Sequence, residues 1–244
     1  MSLSLFPSLV SLPLSPFPPL AVGFFGLGTG YLIYGPQELL GYPARNESVD
    51  LGTGVWGIWM PGFMQFITGI YLFAGLVLFG TIRTPALYMA ALAFTAYGVH
   101  WFALGWNRTR RTDTRIQLGM AIAFLLISIL GIIVFFQTGD DPVGGLFIGL
   151  ACVYVAEFVA SLKPDLPKQG GLGEKALGFF HLGTGLWLMY LTFAVALNFI
   201  LNYGLPLLRV AALTGCSSYG LQPLRVCRSD RYGFAALTAT GLPL

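Results

Sequence analysis

Long runs of apolar residues, separated by short polar segments, follow one another from Leu20 to Tyr203. A helix of about 20 apolar residues crosses the hydrocarbon core of a bilayer, which is roughly 30 Å thick. Six runs approach or exceed that length, so the pattern predicts a compact bundle of six membrane-spanning helices. The first is long enough only if Pro18 and Pro19 form its first turn, where proline is tolerated. The predicted spans are Leu20–Tyr34, Val55–Phe79, Pro85–Trp106, Ile116–Phe136, Val143–Leu162 and Ala176–Tyr203.

The two ends of the chain differ from this central region. Residues 1–19 are apolar but contain five prolines and no basic residue, so they fit neither a signal peptide nor a spanning helix. Residues 204–244 have scattered arginines and no sustained periodicity, which is typical of a disordered tail. We therefore predict one six-span domain over residues 20–203, between an irregular lead-in and a tail.

The composition agrees with an all-α integral membrane protein. Hydrophobic residues make up 56% of the chain and charged residues 9%, against about 25% charged residues in soluble domains. The net charge of +3 equals the balance of the four arginines and one aspartate that follow Gly204. The membrane region is therefore neutral, and nothing in its charge indicates a nucleic-acid partner.

Glycines recur at helical spacing within the predicted spans, as at Gly26, Gly30, Gly62, Gly69, Gly75, Gly178 and Gly185. In lipid, small residues let helix backbones approach closely, so helix packing is the first interpretation and lining of a pore the second. The segments Phe24–Gly30 and Phe179–Gly185 match at six of seven positions. This echo indicates that the first and sixth spans occupy related places.

Polar side chains inside the spans are the candidates for contact with a solute. No lysine or arginine lies in the middle of a span, so a solute must be held by neutral groups and helix N-termini. The groups available are the hydroxyls of Thr29, Thr95 and Tyr97 and the amide of Gln65. They suit a carboxylate and a neutral amide alike, and both stay open.

Three ionisable residues within spans are candidates for proton coupling. An ionisable group within a membrane span is a functional hypothesis by default, because burying its charge in lipid is costly. Glu157 is the only acid deep in a span, and His100 and His181 are the only histidines. A proton relay is one interpretation. The other is an interfacial carboxylate and two neutral, hydrogen-bonded histidines.

Enzyme motifs and metal-site patterns are missing from the chain. It contains no G-x-S-x-G, no H-E-x-x-H and no phosphate-binding loop, which removes the usual hydrolase and nucleotide-binding classes. The three cysteines, Cys152, Cys216 and Cys227, lack the spacing of a metal site. We predict no enzymatic activity, no metal and no cofactor.

Three segments resemble a known family. The run Phe94–Trp101, FTAYGVHW, resembles the F-T-S-Y-G-x-F-W signature of the acetate uptake transporter (succinate/acetate permease) family. Pro18–Ala21 is similar to the A-P-L-G of that family's N-P-A-P-L-G motif, although Pro16 replaces the asparagine and Ala21 the glycine. Gly57–Gly69, which contains Gln65, resembles the family's Y-G-G-x-x-Q-x-x-x-G segment.

The resemblance implies a homohexamer in the plasma membrane whose protomers each contain a central pore for acetate and related small mono- and dicarboxylates, often in symport with protons. It implies a hydrophobic constriction of a Phe, a Tyr and a Leu, which fall on Phe25, Tyr97 and either Cys152 or Leu150. It also implies that the motif residues Pro19 and Leu20 contact the solute.

We therefore expect a transporter or channel for a small carboxylate. The basic residues of the short loops lie after the first, third and fifth spans, with Arg83 the exception. This pattern is closer to the urea/amide channel family, so a urea or short-amide channel is the alternative. A non-transporting membrane scaffold or sensor is the second alternative. The orientation of the termini stays open, because arginines in the tail oppose the pattern of the loops.

Overall fold

The computed structural model describes residues 17–80, 84–162 and 171–201. Of these residues 90% are helical and none lies in a strand, which confirms the predicted all-α class. A 3₁₀ turn at Thr114–Ile116 precedes the fourth long helix. The described part of the chain forms six long helices, α1 (Phe17–Leu40), α2 (Glu47–Leu78), α3 (Pro85–Arg110), α4 (Gln117–Gln137), α5 (Asp141–Ser161) and α6 (Leu172–Leu201).

Five of these helices, α2 to α6, are long and apolar enough to cross a membrane. Their outward faces carry large apolar side chains, such as Ile122, Leu126 and Ile133 on α4, which are 49%, 62% and 48% exposed. An apolar surface of this kind is suited to contact with lipid rather than water. The protein is therefore a multi-pass membrane protein with five apolar spans, and α1 is not among the five.

Most helices extend beyond the apolar runs that predicted them. Helix α1 begins at Phe17, so Pro18 and Pro19 lie in its first turn, where a missing N–H group costs nothing. The prediction that residues 17–19 belong to an irregular lead-in is therefore wrong. At its other end α1 continues past the predicted Tyr34 to Leu40. Residues 1–16 and 202–244, on which the other predictions for the termini fall, lie outside the described residues.

Polar caps set where three of the helices begin. The side chains of Asn46, Thr84 and Asp140 accept hydrogen bonds from the backbone N–H groups three residues later, at the starts of α2, α3 and α5. Such caps satisfy backbone donors that have no partner within the helix. The short polar segments before α2, α3 and α5 therefore define where these three helices begin.

The helices form a closed ring in chain order. Each helix packs against its neighbours in the sequence, and an extensive contact between α1 and α6 closes the ring. In that contact Gly28 lies beside Gly185, while Gly35 lies beside Gly178. Residue numbers rise along α1 as they fall along α6, so the two helices run antiparallel.

Glycines at the contact between α1 and α6 allow the two backbones to approach closely. A Cβ atom on Gly28 would lie 3.3 Å from the carbonyl oxygen of Gly185, and one on Gly35 would lie 3.1 Å from that of Gly178. Gly28 and Gly185 belong to the two matching segments noted in the sequence, which meet here. The packing interpretation of the glycines is thus confirmed at this contact.

Helix α2 contains two wider π-helical turns, at Ile58–Phe63 and Ala74–Leu78. The first contains Pro61, which has no N–H to donate and whose ring crowds the preceding turn. A π turn accommodates that disruption without ending the helix. The Pro61 ring packs against α1 at Gly30, where an added Cβ would lie 2.6 Å from Pro61 Cγ. The next turn of α2 carries Gln65 into the interior.

Asp140 is fully buried in the turn between α4 and α5. One carboxylate oxygen accepts from the N–H of Val143 at 3.4 Å, while the other has no hydrogen-bond partner among the described residues. Burial raises the pKa of Asp140 from 3.8 to about 6, the Val143 N–H opposes this shift and the charge of Asp141 adds to it. The ionised form is therefore less favourable in the folded protein than in the unfolded chain.

We expect Gly35→Val to destabilise the protein by about 1–3 kcal/mol, the usual cost of forcing extra atoms into a packed contact. The matched control is Gly183→Val on α6, because an added Cβ at Gly183 meets no atom within 4 Å. Thermal unfolding in detergent micelles measures both variants. Equal midpoints for the two variants would contradict the packing role of the contact between α1 and α6.

We expect Asp140→Asn to change how stability depends on pH. Because the pKa of Asp140 is higher in the folded state than its usual 3.8, wild-type protein loses stability as pH rises from about 4 to about 6. Asparagine keeps a capping oxygen without the charge, so the variant lacks this loss. Unfolding midpoints across that range should diverge in favour of Asp140→Asn, and a pH-independent difference would count against the assignment.

Candidate functional site

Two cavities lie one above the other inside the ring of helices. The larger, which we call the vestibule, has a volume of about 260 Å³ and a wall that mixes aromatic with ionisable side chains. The smaller, which we call the constriction, has a volume of about 30 Å³ and an almost wholly apolar wall. Tyr97 of the constriction stacks on Tyr154 of the vestibule, with ring centres 5.9 Å apart. The two cavities therefore meet at this pair of rings.

Three helices, α1, α3 and α5, line both cavities in the same order. In each, residues three or four apart form one face whose N-terminal part is apolar and borders the constriction, and whose C-terminal part borders the vestibule. These three helices therefore run parallel to one another. On α1 this face is Leu20, Phe24, Leu27, Tyr31, Tyr34 and Glu38.

Phe24, rather than the predicted Phe25, belongs to the constriction. The Phe24 side chain is 3% exposed and its ring lies 5.4 Å from that of Phe94 on α3. Phe25 is 41% exposed and lies on the outer side of α1, because successive residues of a helix point about 100° apart. The residue of α1 that borders the constriction is therefore the one directly before the predicted Phe25.

Leu150, rather than Cys152, is the residue of α5 at the constriction. Leu150 is 2% exposed and lines the constriction. Cys152 is half-buried and lines a different cavity between α5 and α6, beside Phe180 and Thr184. Of the two predicted alternatives, only Leu150 borders the constriction.

Tyr97 borders the constriction, and its hydroxyl already has a hydrogen-bond partner. The residue is 2% exposed and lines the constriction. Its hydroxyl lies 3.0 Å from Ser128 Oγ on α4, and Ser128 donates in turn to the carbonyl of Phe124. Tyr97 therefore donates to Ser128, and it is the ring of Tyr97 that faces the constriction.

Gln65 is the polar group in the wall of the constriction. It is 0% exposed, and neither its amide oxygen nor its amide nitrogen has a hydrogen-bond partner among the described residues. A buried amide without partners costs roughly 1–3 kcal/mol. The side chain thus keeps an unpaired donor and an unpaired acceptor beside the constriction.

The other predicted polar contacts lie elsewhere. Thr95 donates to the carbonyl of Ala91 at 2.8 Å and packs against α2 beside Gly69, while Thr29 is half-buried and borders neither cavity. The carbonyl of Pro19 accepts from Thr68 at 2.9 Å. None of these three positions borders the vestibule or the constriction, and Thr95 and Pro19 contact α2 instead. Leu20 does line the constriction.

The three predicted ionisable residues all line the vestibule. Glu157 on α5 is 7% exposed, and His100 and His181 are 8% and 5% exposed. His181 Nδ1 lies 2.5 Å from Glu38 Oε2, so the sixth helix is tied to the first. Sequence reasoning missed Glu38 because it lies beyond the apolar run, on the part of α1 that continues past Tyr34.

A cluster of arginines around Asp50 lies beside the vestibule. Asp50 on α2 is 6% exposed, and its carboxylate lies 3.0 Å from Arg45 Nε, 3.3 Å from Arg108 Nε and 3.9 Å from Arg111 Nε. The three arginines also line the vestibule. Three positive charges therefore surround one carboxylate at this part of the wall of the vestibule.

No family model and no curated protein matches the chain. Among solved structures, the bacterial acetate channel SatP is similar, with a TM-score of 0.61 and 15% sequence identity. The match covers 78% of this chain and 96% of that one. At this identity the similarity shows a shared fold, and it extends over nearly the whole of the other protein.

Proposed function

We propose that this protein is a channel or transporter for acetate and related small carboxylates. The observation that carries the proposal is the polar vestibule that leads onto a narrow apolar constriction inside one ring of helices. An apolar narrowing of this kind gates a pathway by excluding water until a solute enters. The fold shared with an acetate channel supports the same conclusion.

The wall of the constriction favours a small, weakly held solute. Its volume of about 30 Å³ must widen for any solute to pass, and its polar contact is the neutral amide of Gln65. A neutral donor can orient a carboxylate without trapping it, which permeation requires. Acetate, with one methyl and one carboxylate group, matches an apolar wall with one amide.

The proposal includes α1 as a sixth span. This helix runs antiparallel to the apolar helix α6 along an extensive contact, and its inner face completes the wall of both cavities. A plasma-membrane homohexamer follows from the family resemblance rather than from contacts within this chain.

Proton coupling is assigned to the ionisable side chains of the vestibule. Glu157 lies one turn beyond Tyr154, whose ring stacks on Tyr97 at the constriction. The Glu38–His181 pair borders the same cavity. A proton held on this wall can accompany a carboxylate through the apolar constriction, where an unaccompanied anion is costly.

Urea or a short amide is the alternative solute, because Gln65 offers one donor and one acceptor to any amide. Uptake of radiolabelled acetate and urea into liposomes that contain the full chain separates the two. Acetate uptake stimulated by an inward proton gradient is the expected result. Urea uptake alone would transfer the assignment to an amide channel, and uptake of neither solute would favour a scaffold or sensor.

We expect Phe24→Ala to increase the acetate flux severalfold, because the ring occupies the constriction, and Phe25→Ala to leave the flux near the wild-type rate. Initial rates of uptake into liposomes measure both. Leu150→Ala and Cys152→Ala form a second pair for the case in which Phe24→Ala folds poorly. Leu150→Ala should increase the acetate flux, and Cys152→Ala should leave it near the wild-type rate. Equal effects within both pairs would refute the position of the constriction.

We expect Glu157→Gln to abolish the stimulation of acetate uptake by an inward proton gradient while uptake down an acetate gradient persists. The amide keeps the shape of the side chain but cannot carry the proton. Glu47→Gln, at an exposed acid in the first turn of α2, is the matched control. A Glu157→Gln protein that still responds fully to the gradient would remove Glu157 from the coupling step.

A further inference from the structure

Arg108 is the buried member of the arginine cluster. Its side chain is 9% exposed, whereas those of Arg45 and Arg111 are 40% and 53% exposed. Arg45 already makes two hydrogen bonds to Asp50, of 3.0 and 3.4 Å. Asp50 therefore already has a well-placed partner in Arg45. Neutralising Asp50 does not by itself explain why the guanidinium of Arg108 is buried beside it.

The guanidinium of Arg108 is held in a fixed orientation. Its central carbon lies 4.5 Å from the centre of the Tyr34 ring. Tyr34 itself donates to the carbonyl of Thr53 at 3.1 Å and packs edge-on against Trp101. Cation–π stacking on an anchored ring leaves a planar guanidinium little freedom, so its N–H groups point in defined directions.

Part of this guanidinium lacks a partner. Nη2 and Nε of Arg108 are buried and have no hydrogen-bond partner among the described residues, although Nε lies within ion-pair distance of Asp50. Unused donors on a buried charged group are costly, and Arg108 lines the vestibule. The contacts among the described residues therefore leave part of a buried charge beside the vestibule unsatisfied.

We propose that Arg108 forms a carboxylate-binding subsite in the vestibule, where the solute anion docks before it reaches the constriction. The inference rests on the proposed function, and it names the residue that distinguishes an anion from urea. The planar guanidinium suits the two oxygens of a carboxylate. Arg45 and Arg111, on the same Asp50, place two further positive charges beside Arg108, whereas Glu38 and Glu157 lie elsewhere on the wall of the vestibule.

The decisive comparison is Arg108→Gln against Arg110→Gln. Arg110 lies on the same last turn of α3 but is exposed and stacks on Trp106 at 4.9 Å. We expect Arg108→Gln to raise the KM for acetate uptake about tenfold or more, the usual effect of losing a hydrogen bond to a charged group. Arg110→Gln should keep the wild-type KM, and urea permeation should be the same in both variants.

Binding gives a second measurement that does not depend on flux. Saturation-transfer NMR on the full chain in micelles should show transfer to the methyl group of acetate in wild type and Arg110→Gln, and its loss in Arg108→Gln. If wild type binds acetate in this way but passes none, the proposed function fails while the subsite stands. Equal transfer in the two variants, or an unchanged KM, overturns the subsite.

Arg108→Lys covers the case in which the glutamine variant does not fold. Lysine keeps the charge beside Asp50 but lacks the planar fork. The KM for acetate should then rise severalfold with little change in the unfolding midpoint. A wild-type KM in this variant would mean that Arg108 acts as a structural charge, and the inference would be wrong.

Discussion

Where α1 meets α6, glycines let the two backbones approach closely, and this contact closes a ring that would otherwise be an open row of helices. Lipid gives helices little hydrophobic reason to associate, so close backbone packing has to supply the attraction. Closure places the inner face of α1 opposite those of α3 and α5. Without it, neither the vestibule nor the constriction would have a complete wall.

The parallel arrangement of α1, α3 and α5 explains why one of the two cavities is lined by polar side chains and the other by apolar ones. Each of these helices has apolar side chains along the N-terminal part of its inner face and ionisable ones near its C-terminus, namely Glu38, Arg108 and Glu157. Because the three point the same way, their ionisable ends gather in one cavity. Arg108 also lies at a helix C-terminus, where the helix dipole favours a positive charge.

Sequence reasoning predicted the helices well because membrane spans are long and uniformly apolar. Because each span is uniformly apolar, the sequence does not show which side of each helix faces the interior. Phe24 and Phe25 are chemically identical, and only packing against Phe94 decides which of them faces inward. Gln65 and Tyr97 are buried beside the constriction, because a polar group in an apolar span has few stable places apart from the interior.

The residues that sequence analysis did not identify lie where helices extend beyond their apolar runs. Glu38 and Arg108 fall outside the predicted spans Leu20–Tyr34 and Pro85–Trp106, yet both lie on helices. They contact His181 and Asp50, which come from other parts of the ring. Such pairings depend on tertiary structure, so spacing along the chain could not reveal them. Their placement also keeps charge out of the constriction, where an ion without partners would be costly. Under the proposed function, Arg108 orients the anion in the vestibule, and the apolar wall of the constriction excludes water until the anion enters.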